Sequence, residues 1–394
     1  MFDKPTEYVK GKVDVTILNK DTYISTENMI PNKGGITSAS SLPTITQTQA
    51  FFAGDILVSN IRPYFKKIWF AECDGGCSND VLVFRAKDGV NKRFLYYVLA
   101  DDAFFNYSMV TSKGTKMPRG DKVSIMKYEV PVFSYEEQRK IAGILEVLDK
   151  KIKLNTELNK NLLEQIQLLC RSWLVDYAPF GYEQPATWSI VPLSSIADFV
   201  SGYSYKGAEL VESDTAMATI KNFDRKGGFK LDGYKEIQPS AKLKPEQHAE
   251  LFDTLVAHTD LTQNAEVIGN AELILSMSGY KDIVFSMDVV KVLPKEGVSR
   301  FLLAALLQDG RFKTHALGYV NGTTVLHLNK KALPEFELPL PSDLEELAPL
   351  ANAVEAMYRQ IADNIDESTH LANLRDTLLP KLMSGELDVS EIDL

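Results

Sequence analysis

From Ile141 the chain places Leu145, Leu148, Ile152, Asn155, Asn159, Leu162, Ile166 and Leu169 alternately four and three residues apart. That spacing keeps one stripe of a helix turned toward a partner helix. The rhythm returns from Leu350 through Val354, Met357, Ile361, Asn364, Ser368, Leu371, Arg375, Leu378 and Leu382. Both seams turn polar at the middle, where Asn155 and Asn159 hold the places of Asn364 and Ser368 in the other. Buried polar seam residues fix register at some cost in stability. The pattern predicts two long helices packed antiparallel about a pseudo-twofold axis, with Asn155 facing Asn364. A seam of ~28 residues rising 1.5 Å each spans roughly 42 Å and would set two globular domains apart. The competing reading is two unrelated amphipathic helices, each covering its own domain's core.

What precedes each seam is also repeated. Ser134-Tyr135-Glu136-Glu137 follows Glu129-Val130-Pro131, and Ser342-Asp343-Leu344-Glu345 follows Glu337-Leu338-Pro339. In each, an apolar strand passes through proline into a Ser-x-x-Glu helix start, where serine and glutamate satisfy two orphan N–H groups reciprocally. Gly54-Asp55-Ile56-Leu57-Val58 resembles Phe252-Asp253-Thr254-Leu255-Val256, and Arg93-Phe94-Leu95 resembles Arg300-Phe301-Leu302. Lys113-Gly114-Thr115-Lys116 matches Asn321-Gly322-Thr323-Thr324. Such self-similarity means a duplicated unit. Short β-rich runs alternate with one or two helices in each copy, so the expected class is α+β: two similar α+β domains separated by two long antiparallel coiled-coil helices, a pseudo-twofold internal repeat. The expected boundaries are 1–134 and 177–341 for the domains, 135–176 for the first helix, and 342–394 for the second helix with an acidic tail. Pro349 lies too deep for an unbroken helix from Ser342, which predicts a short turn and a restart there. Pro380 and Gly385 are expected to end that helix.

Charge refines the picture. The net charge of −10 opposes binding to phosphate, but it is unevenly spread. Residues 1–134 carry 17 Lys/Arg against 14 Asp/Glu, whereas 342–394 carry 3 against 12. Most of the acid therefore sits at the C-terminal end, where it would repel DNA or meet a basic protein partner. Cys73, Cys77 and Cys170 fit a reducing compartment, and the histidines are too scattered to complete a metal site with Cys73 and Cys77. With no apolar run of membrane-spanning length and no secretory leader, the expected place is the cytoplasm, without a membrane role.

No phosphate loop, dinucleotide fingerprint, nucleophile elbow or Asn/Asp-Pro-Pro-aromatic tetrapeptide is present, so no catalytic or metal residue is assigned. Asp282 to Lys291 reads as a half-exposed strand. Binding chemistry is better represented. Asn60, Arg62, Tyr64, Lys66 and Lys67 gather amide, guanidinium, aromatic and ammonium groups in one strand-to-loop stretch, and Lys113, Thr115, Lys116 and Arg119 lie in a glycine-punctuated loop. Arginine and asparagine suit base edges; lysine suits phosphate. The second copy offers Lys221, Asn222, Arg225, His258, Thr259, Asn321, Thr323 and Thr324 at or near the corresponding places. Solvated loops are the plain alternative for both. A persistent framework with changed side chains is what two domains reading different sequences require.

Taken with Tyr23-Ile24-Ser25-Thr26-Glu27-Asn28-Met29, Gly54 to Pro63, Glu136-Glu137-Gln138-Arg139-Lys140-Ile141-Ala142 and Leu378-Leu379-Pro380-Lys381-Leu382-Met383-Ser384-Gly385, the chain resembles the specificity subunit of type I restriction–modification enzymes over nearly its whole length. The resemblance implies two target recognition domains joined by two long conserved helices and reading a bipartite asymmetric site in double-stranded DNA. It further implies no catalysis by this chain itself. The expected partners are two modification (methyltransferase) subunits and the restriction (endonuclease/translocase) subunits. No cofactor is expected here; S-adenosylmethionine, ATP and Mg are expected on the partners. The departure at Leu347-Ala348-Pro349, where the first copy has Gln138-Arg139-Lys140-Ile141, argues against an identical grip on the modification subunits at both ends. The other functional class open to the sequence is a duplicated coiled-coil scaffold binding proteins only, which salt-dependent DNA binding discriminates.

Overall fold

The computed structural model describes residues 6–114, 116–225, 227–262 and 264–392. The chain divides into two units, one of Met1–Ile152 with His370–Leu394 and one of Lys153–Thr369. The long helices are Tyr135–Leu174 and Ala348–Met383, so each contributes a stretch to both units rather than standing as a segment of its own.

In the first unit, an antiparallel sheet runs in the order Thr6–Tyr8, Val81–Ala86, Ile56–Ser59 and Ile68–Phe70. Ile56, Leu57, Val58 and Ser59 are all buried because both faces of this strand are covered. Ile56, Val58, Leu82 and Phe84 meet Leu95, Leu99, Phe104 and Phe105 of helices Lys92–Ala100 and Asp102–Val110. Leu57, Val81 and Val83 meet Ile24, Met29 and Phe51 on the other side. In the second unit the sheet Ala197–Ser201, Val289–Pro294, Thr254–Ala257, Ala271–Leu273 repeats the order and sense of the first. Its helices Arg300–Leu307 and Gly310–Leu317 are capped by Ser299 and Asp309, as Asn91 and Asp101 cap their counterparts. A duplicated α+β fold is thus present down to the helix caps. The span Asp282 to Lys291, expected as one strand, holds Asp282–Phe285 and the start of Val289–Pro294, which lie in different sheets.

The two helix starts diverge. At the first, Ser134 N–H donates to Glu137 Oε2 (2.7 Å) and Glu137 N–H donates to Ser134 Oγ (3.3 Å), a complete reciprocal cap. At the second, Ser342 Oγ donates instead to the Thr187 carbonyl, and Asp343 caps a single 3-10 turn, Leu344–Leu347. The long helix restarts at Ala348, so Pro349 sits in its first turn, where its missing N–H costs nothing. Pro380, by contrast, does not end the helix, which continues to Met383. Ser384 N–H still donates to the Pro380 carbonyl, and Gly385, at φ +74°, makes the stop.

Within the second unit the helices run antiparallel, and the polar seam positions meet one step out of the expected register. The Asn364 amide donates to Asn159 Oδ1 (2.7 Å), and the Asn155 amide reaches the Asn364 carbonyl (3.3 Å), Glu367 Oε2 (2.7 Å) and Ser368 Oγ (3.2 Å). Asn155 is 1% exposed, so its polar atoms depend on these partners. Within the first unit, Arg375 donates to Asp149 (2.7 Å), which also accepts from Tyr97 (2.7 Å), while Ile141, Ala142 and Leu145 pack on Leu379, Leu382 and Met383. A double-mutant cycle on Asn159 and Asn364, followed through urea unfolding of the second unit, is expected to give a coupling of about 0.5–3 kcal/mol; additive single effects would contradict the bond.

Candidate nucleic-acid interface

Two sequence stretches of the first unit that lie far apart in the chain are brought together. Ile61 pairs with Arg119, Arg62 N–H donates to the Pro118 carbonyl (2.8 Å), and Gly120 N–H donates to the Asn60 carbonyl (3.2 Å). Lys113 and Arg119 exchange both backbone hydrogen bonds (2.9 and 3.0 Å) around a turn at Gly114, φ +94°. Gly120 is needed for this approach, since a Cβ there would stand 2.7 Å from Ile125 Cδ1 and 2.9 Å from Asn60 Oδ1.

The second unit builds the same frame bond for bond. Thr259 pairs with His327, Asn321 pairs with His327 across the hairpin, and Leu328 N–H donates to the His258 carbonyl (2.8 Å). Gly322, at φ +110°, occupies the place of Gly114. Asn60 N–H donates to the Asp80 carbonyl and His258 N–H to the Asp288 carbonyl, both at 2.8 Å. Asn60, Ile61, Asp80, Lys113 and Arg119 therefore correspond to His258, Thr259, Asp288, Asn321 and His327.

The side chains on this frame differ in how far they reach solvent. Lys116 and Arg119 are exposed, and Tyr64 is half-exposed against Phe65. Arg119 lies 3.4 Å from Asp80, and the exposed Lys113 pairs with Asp121 (2.8 Å). The Lys113 ammonium, with the Ser124 N–H, holds the Asp121 carboxyl well below the usual carboxylate range. Arg62 is half-buried with left-handed backbone at φ +50°, and its Nε is buried without a partner. Lys66 is held by Asp102 (2.7 Å), and Lys67 donates to the Thr26 carbonyl (2.6 Å) over the Phe65 ring; burial lowers its pKa. Both lysines thus brace the loop instead of standing free at the surface. Asn60 is buried against Gly120 and is part of the frame, not of a reading surface. Thr115 lies outside the described residues.

In the second unit Lys221, Arg225, Asn321, Thr323 and Thr324 are exposed, with Arg225 paired to Glu266 (3.1 Å). Asn222, in contrast, is wholly buried: its Oδ1 accepts from Thr219 N–H (2.9 Å) and its amide donates to the Lys230 carbonyl (2.8 Å). A polar side chain that closes its own loop this way is unavailable to a ligand. Thr259 is buried too, its hydroxyl spent on Asp288 Oδ1 (3.1 Å). Among the described residues, no group of three His, Cys, Asp or Glu is placed to hold a metal ion, and no helix is long and apolar enough to cross a membrane.

Residues 5–165 match the family model for the type I restriction modification DNA specificity domain. The chain is 24% identical over 323 residues to the type I restriction enzyme MjaIX specificity subunit of Methanocaldococcus jannaschii, covering 78% of this chain and 71% of that protein. It is 24% identical over 455 residues to the HindI specificity subunit of Haemophilus influenzae, covering 96% of this chain and 97% of that one. The chain is thus similar to type I restriction enzyme specificity subunits. The crystal structure of a type I restriction-modification S subunit from M. genitalium shares the fold, with a TM-score of 0.50 over 97% of each chain at 16% identity.

Three residues were given no role by the sequence reading. His327 and Lys330 are exposed beside the His258 stretch, and Gln138 is buried where its Oε1 accepts from Asn91 N–H (2.9 Å) and its amide donates to the Phe133 carbonyl (2.9 Å). The signal for His327 was the hairpin repeat, which continues past Thr324 to the position of Arg119. The buried Glu272 was missed as well: it accepts from Gly228 N–H (2.6 Å), holding the loop that carries Lys221 and Arg225, and burial pushes its carboxyl up to about 7.

Asn222→Ala strands the Thr219 N–H and Lys230 carbonyl and is expected to destabilise the second unit by about 1–3 kcal/mol, read as a lower unfolding midpoint, while Lys221→Ala leaves the midpoint unchanged. Because the folded state raises the Glu272 pKa above its usual 4.5, it holds a proton that the unfolded chain releases. This group's contribution is full below about pH 4.5 and lost as pH rises through about 7. Comparing thermal unfolding at pH 6 and pH 8 should show that loss in the native chain and a smaller one in Glu272→Gln.

Proposed function

We propose that this chain is the DNA-specificity subunit of a type I restriction–modification complex, each unit reading one half of a bipartite, asymmetric site in double-stranded DNA. The observation that carries the reading is the repeated hairpin frame: identical backbone pairing presents Lys113, Lys116 and Arg119 in one unit and Asn321, Thr324 and His327 in the other. Backbone that stays fixed while its exposed donors change is a device for giving two modules different base preferences. The specificity domain matched over residues 5–165 supports it.

On this reading the chain performs no catalytic step. It works in the cytoplasm within an assembly of two modification subunits, which carry S-adenosylmethionine, and restriction subunits, which carry ATP and Mg. The long helices are the surfaces we assign to assembly, with ends made unequal by the Ser134 cap and the Pro349 restart. Arg62, Tyr64, Lys113, Lys116 and Arg119 are the first unit's contacts, and Lys221, Arg225, Asn321, Thr323 and Thr324 the second's.

Mapping methylated adenines in DNA modified by the assembled complex tests the reading, and a bipartite motif is expected. Methylation without any sequence preference would reject it, as would binding indifferent to salt. Lys116→Ala is expected to weaken binding similarly on all sequences and to reduce the log–log salt slope by about 1, whereas Arg119→Ala should cost about 1–3 kcal/mol and relax one half-site only.

A further inference from the structure

The two units agree so closely around the hairpin that a position in one identifies its counterpart in the other. Arg119 and His327 each lie six residues beyond a paired partner, Lys113 or Asn321, across a glycine turn in left-handed conformation. Each is exposed, and each pairs on its other side with the strand end after Ser59 or Ala257, at Ile61 or Thr259. Behind each stands an aspartate whose carbonyl receives the same backbone N–H, Asp80 or Asp288.

What differs is the chemistry. In the first unit Asp80 faces the Arg119 guanidinium at 3.4 Å and orients a group that stays charged at every relevant pH. In the second, the Asp288 carboxylate is taken by the Thr259 hydroxyl (3.1 Å), and the exposed hairpin residue is an imidazole with a second imidazole, half-buried His258, next to it. The charged groups that face His258 are His327 on the neighbouring strand, Lys330 just beyond it, and Asp288 from the turn before Val289–Pro294. Burial, His327 and Lys330 together hold the His258 imidazole below the usual histidine range against the pull of Asp288. The half-buried His258 imidazole, beside a second imidazole and an ammonium and with one aspartate as counter-charge, takes up a proton more readily when an anion approaches.

We infer that the hairpin position held by Arg119 in the first unit and His327 in the second is the specificity-determining position of each, and that His327 with His258 meets its half-site as imidazolium, so that recognition of this half-site alone weakens as pH rises. The inference rests on the DNA-recognition reading above and adds to it which residue sets each half of the site. An imidazolium offers two donors to phosphate or to the acceptor edge of a purine, and its neutral form offers one. Binding coupled to proton uptake must weaken as the proton becomes scarcer.

The test uses the assembled complex and a duplex carrying the motif found by methylation mapping, with binding measured from pH 6 to pH 8 at fixed salt. The native complex is expected to lose about fivefold or more in affinity across this range. His327→Arg should flatten the profile and change the preferred bases in one half-site, while His327→Gln should lower affinity at pH 6 and flatten the profile as well. Arg119→His should introduce a pH slope tied to the other half-site. Both positions are exposed, and unfolding midpoints of the variants are expected to match the native one. A flat native profile, or a slope and a motif unchanged in both His327 variants, overturns the inference while leaving DNA recognition intact. Absence of any methylated motif instead defeats the underlying reading.

Discussion

Antiparallel pairing of the long helices inside each unit requires that every polar atom it buries find a partner. Asn155, with 1% of its surface exposed, meets this with three acceptors, and Asn159 and Asn364 meet it by bonding to each other. In the first unit Asp149 accepts from both Tyr97 and Arg375. A shift of register by one helical turn would leave these groups buried and unpaired, at about 1–3 kcal/mol for each neutral one. Leu379, Leu382 and Met383 can therefore reach Phe94, Ile141 and Leu145 in one alignment only, and the first unit closes its core with the end of the chain.

The duplication works through the backbone. Sheet order, the side-chain caps of the short helices and the hydrogen bonds about Gly114 and Gly322 recur in both units, because glycine at positive φ and an aspartate-backed strand end suffice to hold the hairpin whatever side chains it displays. Arg119 can thus be replaced by His327 with no change in the frame. The same separation explains why the basic composition of the first copy overstated its free charge: Lys66 and Lys67 hold Asp102 and the Thr26 carbonyl and brace the loop from inside.

Much of the fold was legible in the residues. The four-three spacing of apolar positions reports a helix face directly, and the Ser134–Glu137 cap, the restart at Pro349 and the α+β repeat all depend on local geometry. Ser342 misled because a Ser-x-x-Glu pattern does not say whether its hydroxyl will find a nearer acceptor, here the Thr187 carbonyl. Pro380 misled because a proline near a helix end removes one donor without forcing a stop. Asn60, Asn222 and Thr259 were plausible base readers by residue type, yet the burial that disqualifies them comes from Gly120, Lys230 and Asp288, which lie 60, 8 and 29 residues away in the chain.

The duplication and the two long helices are encoded locally, because periodicity, capping residues and glycine turns act over a few residues and leave their mark in order along the chain. Which polar groups reach solvent was settled by long-range packing. It joined Ile61 to Arg119 and Thr259 to His327, and it assigned each asparagine to frame or seam, since hydrogen bonds between distant segments are set by packing that no local pattern encodes.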